Sequence, residues 1–224
     1  MDERPRVQGL KSIFKILAYA LGIILSLWAV TVFYLSNAHP DIAWDWDSIN
    51  TSDIHFPSSF AWGTATAAHQ VEGNNSNNNW YQWEKAVDEN GISRIHNNDS
   101  SAMAADHWNR YPEDILLMKD LGVSHYRFSI EWSRIEPQKG YYDLESLSHY
   151  RKMCLAMIKA GITPVVTLHH FTHPIWFEEL GAFEKETNTE HFAKFAKLVF
   201  QELVDIVPIW CTFNEPSVFV AQGY

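Results

Sequence analysis

Residues 124–137 read SHYRFSIEWSRIEP. Tyr126, Phe128 and Ile130 alternate with polar side chains, the period-two pattern of a β-strand with one apolar face. Helical patterns bracket this strand. Upstream, Pro112 suits a first helical turn, Ile115, Leu116, Met118 and Leu121 follow it, and Gly122 is placed to stop the helix. Downstream, Leu147, Tyr150, Cys154, Met157 and Ile158 recur at helical spacing before Gly161. Phe60–Ala68, Thr163–Leu168 and Ile209–Phe213 read as further strands. Phe192, Phe195, Ala196, Val199, Leu203 and Ile206 form another helical stripe, which Pro208 prevents from continuing. Four strands alternating with amphipathic helices predict βα units and a parallel sheet. The polar stretch Asn74–Asn79 has no periodicity and reads as a surface loop after the first strand.

The composition fits a globular chain. Of 224 residues, 46% are hydrophobic and 20% charged, which excludes a disordered or collagen-like polymer. A formal net charge of -10 argues against a nucleic-acid partner, which would call for a basic patch. Two cysteines, Cys154 and Cys211, allow at most one bridge and exclude a disulfide scaffold.

The N-terminus is a different material. Residues 1–15 form a stub with Arg4, Arg6, Lys11 and Lys15 against Asp2 and Glu3. Residues 16–38, ILAYALGIILSLWAVTVFYLSNA, hold no charge and are long enough to cross a membrane as a helix. The basic side predicts a cytoplasmic stub, with the C-terminal portion translocated. Ser36 and Ala38 offer the small residues of a signal-peptidase site, so secretion after cleavage near Ala38 is the alternative. Residues 39–55, with Asp41, Asp45 and Asp47, read as a linker. Asn50, Asn74 and Asn98 each begin an Asn-X-Ser/Thr sequon.

In parallel α/β folds, functional side chains gather at the C-terminal ends of strands. Those ends here carry His69 and Gln70, Glu131 to Arg134, His169 and His170, and Asn214 and Glu215. Amides, imidazoles and a carboxylate together suit a polyol ligand.

At these residues a resemblance becomes specific. FPSSFAWGTATAAHQVEG (56–73), YRFSIEWSRIEP (126–137), TLHHF (167–171) and TFNEP (212–216) are similar, in order, to four motifs of glycoside hydrolase family 1, the β-glucosidase family. The resemblance covers residues 56–224. It implies a (β/α)₈ TIM barrel, of which the first four βα units are present, and retaining hydrolysis of a β-linked sugar without a cofactor. It implies Glu215 as the acid/base, which must start protonated and so needs a raised pKa. Asn214 is implied as the contact to the sugar 2-hydroxyl, Gln70 and His170 as contacts to the glycone 3- and 4-hydroxyls. Arg127 is implied beneath the nucleophile, holding it ionised. Phe171 departs from the family, standing where many members carry Trp, and His173 follows where Asp-Leu-Pro is common.

His169, His170 and His173 lack the spacing of a zinc site, and no metal is expected. The family's nucleophile lies in an Ile/Thr-Glu-Asn-Gly motif that does not occur here, and 224 residues fall short of the roughly 250 of a typical barrel. The expectation is therefore the N-terminal half of a β-glycosidase, a fragment inactive alone. The alternative is a non-catalytic carbohydrate-binding or receptor-type relative of the same fold.

Overall fold

A computed structural model describes residues 4–40, 45, 48 and 50–223, the side chains of 4–12 and 53 excepted. The chain divides into two compact units, Met1–Pro57 and Ser58–Tyr224.

In the first unit a single helix, α1 (Arg4–Ala38), includes both the basic stub and the apolar run. The helix includes the residues of the expected basic stub from Arg4 onward, with Pro5 fitting its first turn. All side chains from Ile13 to Ala38 are exposed. Of the expected linker 39–55, residues 41–44, 46, 47 and 49 lie outside the described residues. A 3₁₀ turn follows at Thr51–Asp53, where Asn50 Oδ1 accepts from the Ser52 N–H.

The second unit contains the four expected strands, β1 (Gly63–Ala65), β2 (His125–Ser129), β3 (Thr163–His169) and β4 (Ile209–Phe213), all parallel and in sequence order. Its helices are α2 (Ala68–Val71), α3 (Asn79–Lys85), α4 (His107–Leu121), α5 (Trp132–Ile135), α6 (Leu144–Lys159), α7 (Ile175–Glu179), α8 (Thr189–Leu203) and α9 (Pro216–Gly223). β1 is shorter than the run Phe60–Ala68. At its start the backbones run so close that a Cβ on Gly63 would lie 2.8 Å from the His125 carbonyl oxygen.

Parallel neighbours require long crossovers, and α4, α6 and α8 provide them. Ile115 and Met118 of α4, Leu147, Tyr150, Met153 and Met157 of α6, and Phe195, Val199 and Leu203 of α8 are buried in one core with Tyr126, Phe128 and Val166 of the sheet. Trp132, 1% exposed, stacks on Phe195 and meets Phe177 at 4.6 Å. Gly122 and Gly161 end α4 and α6 with φ near +80°, as their positions predict. At the start of α6 the Asp143 carboxylate caps the N–H groups of Glu145 and Ser146.

Two expectations fail. Pro112 lies inside α4 rather than in its first turn, since the helix begins at His107. The proline forfeits one backbone hydrogen bond, and burial of Ile115 and Met118 beyond it keeps the helix whole. The stretch Asn74–Asn79 is not a simple surface loop, because Asn75 and Asn78 are buried. Asn78 Oδ1 caps Tyr81 N–H while its Nδ2 donates to His69 Nδ1 and the Asn75 carbonyl, so protein groups replace the water a polar loop would need.

The packing predicts unequal roles for two leucines. Leu203→Ala, at a fully buried position, should cost about 2–5 kcal/mol in urea denaturation. Leu116→Ala, at a 60% exposed one, should stay within about 0.5 kcal/mol.

Candidate active site

The C-terminal ends of the strands bring polar groups together beside the apolar core. Arg127, on β2, projects to the same side as Thr167 of β3, its diagonal neighbour two residues beyond the register partner Val165. Its Nε donates to Thr167 Oγ1 at 2.8 Å and its Nη2 to Asn214 Oδ1 at 2.7 Å. Asn214, immediately after β4 and 7% exposed, is held on its backbone as well, its N–H donating to the His169 carbonyl at 2.9 Å. With Oδ1 engaged by the guanidinium, the amide nitrogen of Asn214 is the end oriented to donate. Among the described residues Arg127 bonds neutral oxygens and joins no carboxylate.

Glu215 follows directly, exposed, with φ of +44°. That left-handed backbone is costly for a residue other than glycine, the more so before Pro216. α9 starts at Pro216, so the carboxylate stands at the junction of strand and helix.

His170 follows β3 and is half-buried. Its Nδ1 is buried without a hydrogen-bond partner among the described residues. Burial, and secondarily the positive Arg127, push its imidazole down to about 4. His169 is held well below the ordinary range, first by burial and then by its histidine neighbours. It is packed against Phe213 and Phe219 rather than offered to a ligand. His173 bonds Glu178 through Nε2 at 2.6 Å. Phe171, in a left-handed conformation (φ +70°), lies between the rings of Trp80 and Phe219.

Gln70 is exposed on the short α2, whose first N–H is fixed to the end of β2 by Ser129 Oγ at 2.8 Å. Arg127 and Asn214 are therefore in direct contact. Gln70, His170 and Glu215 occupy the ends of β1, β3 and β4, and among the described residues no side-chain hydrogen bond joins them to that pair.

Sequence reasoning left the supporting layer without a role. Glu72, 3% exposed, accepts from Arg134 Nε at 2.9 Å, from Tyr150 Oη at 2.5 Å and from Asn75. Burial raises its pKa and Arg134 opposes that rise. The guanidinium of Arg134 also lies over Trp108 at 4.1 Å. The available signal was the charged residue inside an apolar run, as in Ile130-Glu131-Trp132.

Residues 52–224 match glycosyl hydrolase family 1. The chain is 38% identical to β-glucosidase A of Acetivibrio thermocellus over 77% of its own length and 39% of that protein's. Among solved structures, a β-glycosidase from Pyrococcus horikoshii superimposes with a TM-score of 0.67 at 42% identity, covering 75% of this chain and 38% of that one. The β-glucosidase of Thermotoga maritima in complex with castanospermine gives 0.71 at 33%, covering 75% and 39%. The chain thus spans about two-fifths of the length of these proteins. Its four tandem βα units are those of a partial (β/α) barrel.

The depressed imidazole has a consequence for stability. An unfolded histidine binds its proton near pH 6.5, whereas folded His170 does so only near about 4. Stability present in full above pH 6.5 is therefore lost as pH falls toward 4, where the unfolded chain holds the extra proton. The urea midpoint should be lower at pH 5 than at pH 7, and His170→Gln should lose less between the two. Equal losses in variant and wild type would contradict the assignment.

Proposed function

Because this chain belongs to glycosyl hydrolase family 1, we propose that residues 56–224 supply the acid/base half of a retaining β-glycosidase. A glycosidic oxygen leaves poorly unless it is protonated, and Glu215 is the group assigned to protonate it. A second carboxylate, about 5–5.5 Å away in retaining enzymes, attacks the anomeric carbon. That nucleophile belongs to the part of the relatives' length beyond this chain. Asn214 donates to the sugar 2-hydroxyl, a contact that strengthens in the transition state. Gln70 and His170 bind the glycone 3- and 4-hydroxyls, His170 as the neutral imidazole. The observation that carries this reading is the Arg127–Asn214 hydrogen bond beside Glu215. It orients the amide and leaves a guanidinium at the strand end to hold an incoming carboxylate ionised.

A chimera tests the assignment. Residues 56–224 would be joined to the C-terminal three-fifths of the Acetivibrio thermocellus enzyme and assayed on aryl and alkyl β-glucosides. Glu215→Ala should slow alkyl glucosides by about 10²-fold or more, the usual scale of acid catalysis, and aryl glucosides with good leaving groups much less. Equal losses on both would count against the acid role, and 1–224 alone should turn over neither.

We further propose that residues 16–38 anchor the protein in a membrane, with the stub cytoplasmic and the rest translocated. Its support is the exposed apolar helix surface over Ile13–Ala38, whose eleven Leu, Ile, Val and Phe residues within 16–38 favour insertion by on the order of 5 kcal/mol. Alkaline carbonate should leave the full chain in the membrane pellet, with a C-terminal epitope protected from external protease. A mature N-terminus near residue 39 would instead establish cleavage after Ala38.

A further inference from the structure

Glu131 is fully buried at the end of β2. Its carboxylate has no cationic partner among the described residues, in contrast to Glu72 with Arg134. A buried carboxylate without a counter-ion is tolerable only if donors surround it. Oε1 accepts from Ser133 N–H at 3.3 Å and from Ser133 Oγ at 2.7 Å, and Oε2 accepts from Thr172 Oγ1 at 2.9 Å. The two Ser133 contacts are a local helix cap, which Asp, Asn or Ser would provide equally well. Only the bond to Thr172 requires the longer side chain. It crosses from the loop after β2 to the loop after β3.

Thr172 stands two residues past His170, whose ring Nδ1 has no hydrogen bond to orient it. The ring rests edge-on against Phe171, with centroids 5.2 Å apart, so its direction follows the loop backbone that carries both residues. That backbone is held on its other flank by Asn79, which donates to the Phe171 carbonyl and accepts from His173 N–H. It is strained at Phe171, whose φ of +70° is left-handed and needs outside restraint. The backbone N–H of Glu131 also donates to Tyr150 Oη at 3.0 Å, and Tyr150 in turn donates to Glu72 in the loop that follows Gln70. One residue thus links the loops after β1, β2 and β3.

We infer that Glu131, acting through Thr172, is a positioning residue that sets the orientation of His170 and its spacing from Gln70. Its bearing on sugar binding rests on the proposed role of His170 as a glycone contact. Glu131 and Thr172 are both buried, and no contact with substrate is assigned to either.

The test uses the full chain in detergent micelles, labelled at histidine and assigned with His170→Gln. NMR follows the pH titration of His170 and its response to methyl β-glucoside, and urea denaturation reports global stability. Two variants cut the link independently. Thr172→Val is isosteric and lacks the hydroxyl, and Glu131→Asp keeps the cap but withdraws the carboxylate from Thr172. In each, the His170 midpoint should rise from about 4 toward 6.5, and methyl β-glucoside should bind about fivefold more weakly, the worth of one hydrogen bond. Thr172→Ser should restore both. A loss of urea stability with the His170 midpoint unmoved in whichever variant folds would overturn the proposal and leave Glu131 a purely structural group. If the midpoint moves while wild-type His170 ignores methyl β-glucoside, the positioning role stands and the glycone role of His170 falls.

Discussion

The parallel pairing of β2 with β3, from His125 opposite Thr163 to Ser129 opposite Thr167, is the constraint on which the rest depends. Parallel strands cannot be joined by a tight turn, so the chain must leave the sheet, cross through α6 and return. That crossing buries Leu147, Tyr150, Met153 and Met157 against Tyr126 and Phe128. It also puts both strand ends at the same edge of the sheet, where Arg127 reaches Thr167 and then Asn214. Core and site are two faces of one pairing.

The strand-end layer works by different physics from the core beneath it. Phe128, Ile162 and Val166 are held by burial, which is non-directional and tolerates modest changes in shape. Above them, Glu72, Glu131 and Glu136 are buried carboxylates that survive only through aimed donors. Glu136 takes Trp132 Nε1 and Gly140 N–H, Glu72 takes Arg134 and Tyr150, and Glu131 takes Ser133 and Thr172. Directional bonds are less forgiving than apolar packing. They fix loops in place, and loops on a rigid scaffold are where binding and catalytic residues concentrate.

Much of the fold is legible in the sequence. Alternation marks β2, helical spacing marks α6 and α8, and glycines mark the ends of α4 and α6, because these signals depend on neighbours within a turn or two. Pro112 misleads for the same reason: the local rule places proline at a helix start, whereas burial of Ile115 and Met118 carries the helix through it. The run Asn74–Asn79 misleads because polarity alone does not reveal whether water or protein satisfies an amide. Asn78 is buried because His69, the Asn75 carbonyl and the Tyr81 N–H together satisfy its amide.

The sequence by itself determined the order of strands and helices, the apolar helix at the N-terminus, the motifs of the family and the identities at the strand ends. Only the tertiary structure decided that Arg127 holds Asn214, that Arg134 neutralises Glu72, and that Glu131 spans two loops to meet Thr172. The physical reason is range. Secondary structure follows contacts within a few residues, whereas a charged group taken out of water must find hydrogen-bond partners across the fold, here 87, 62 and 41 residues apart in the chain.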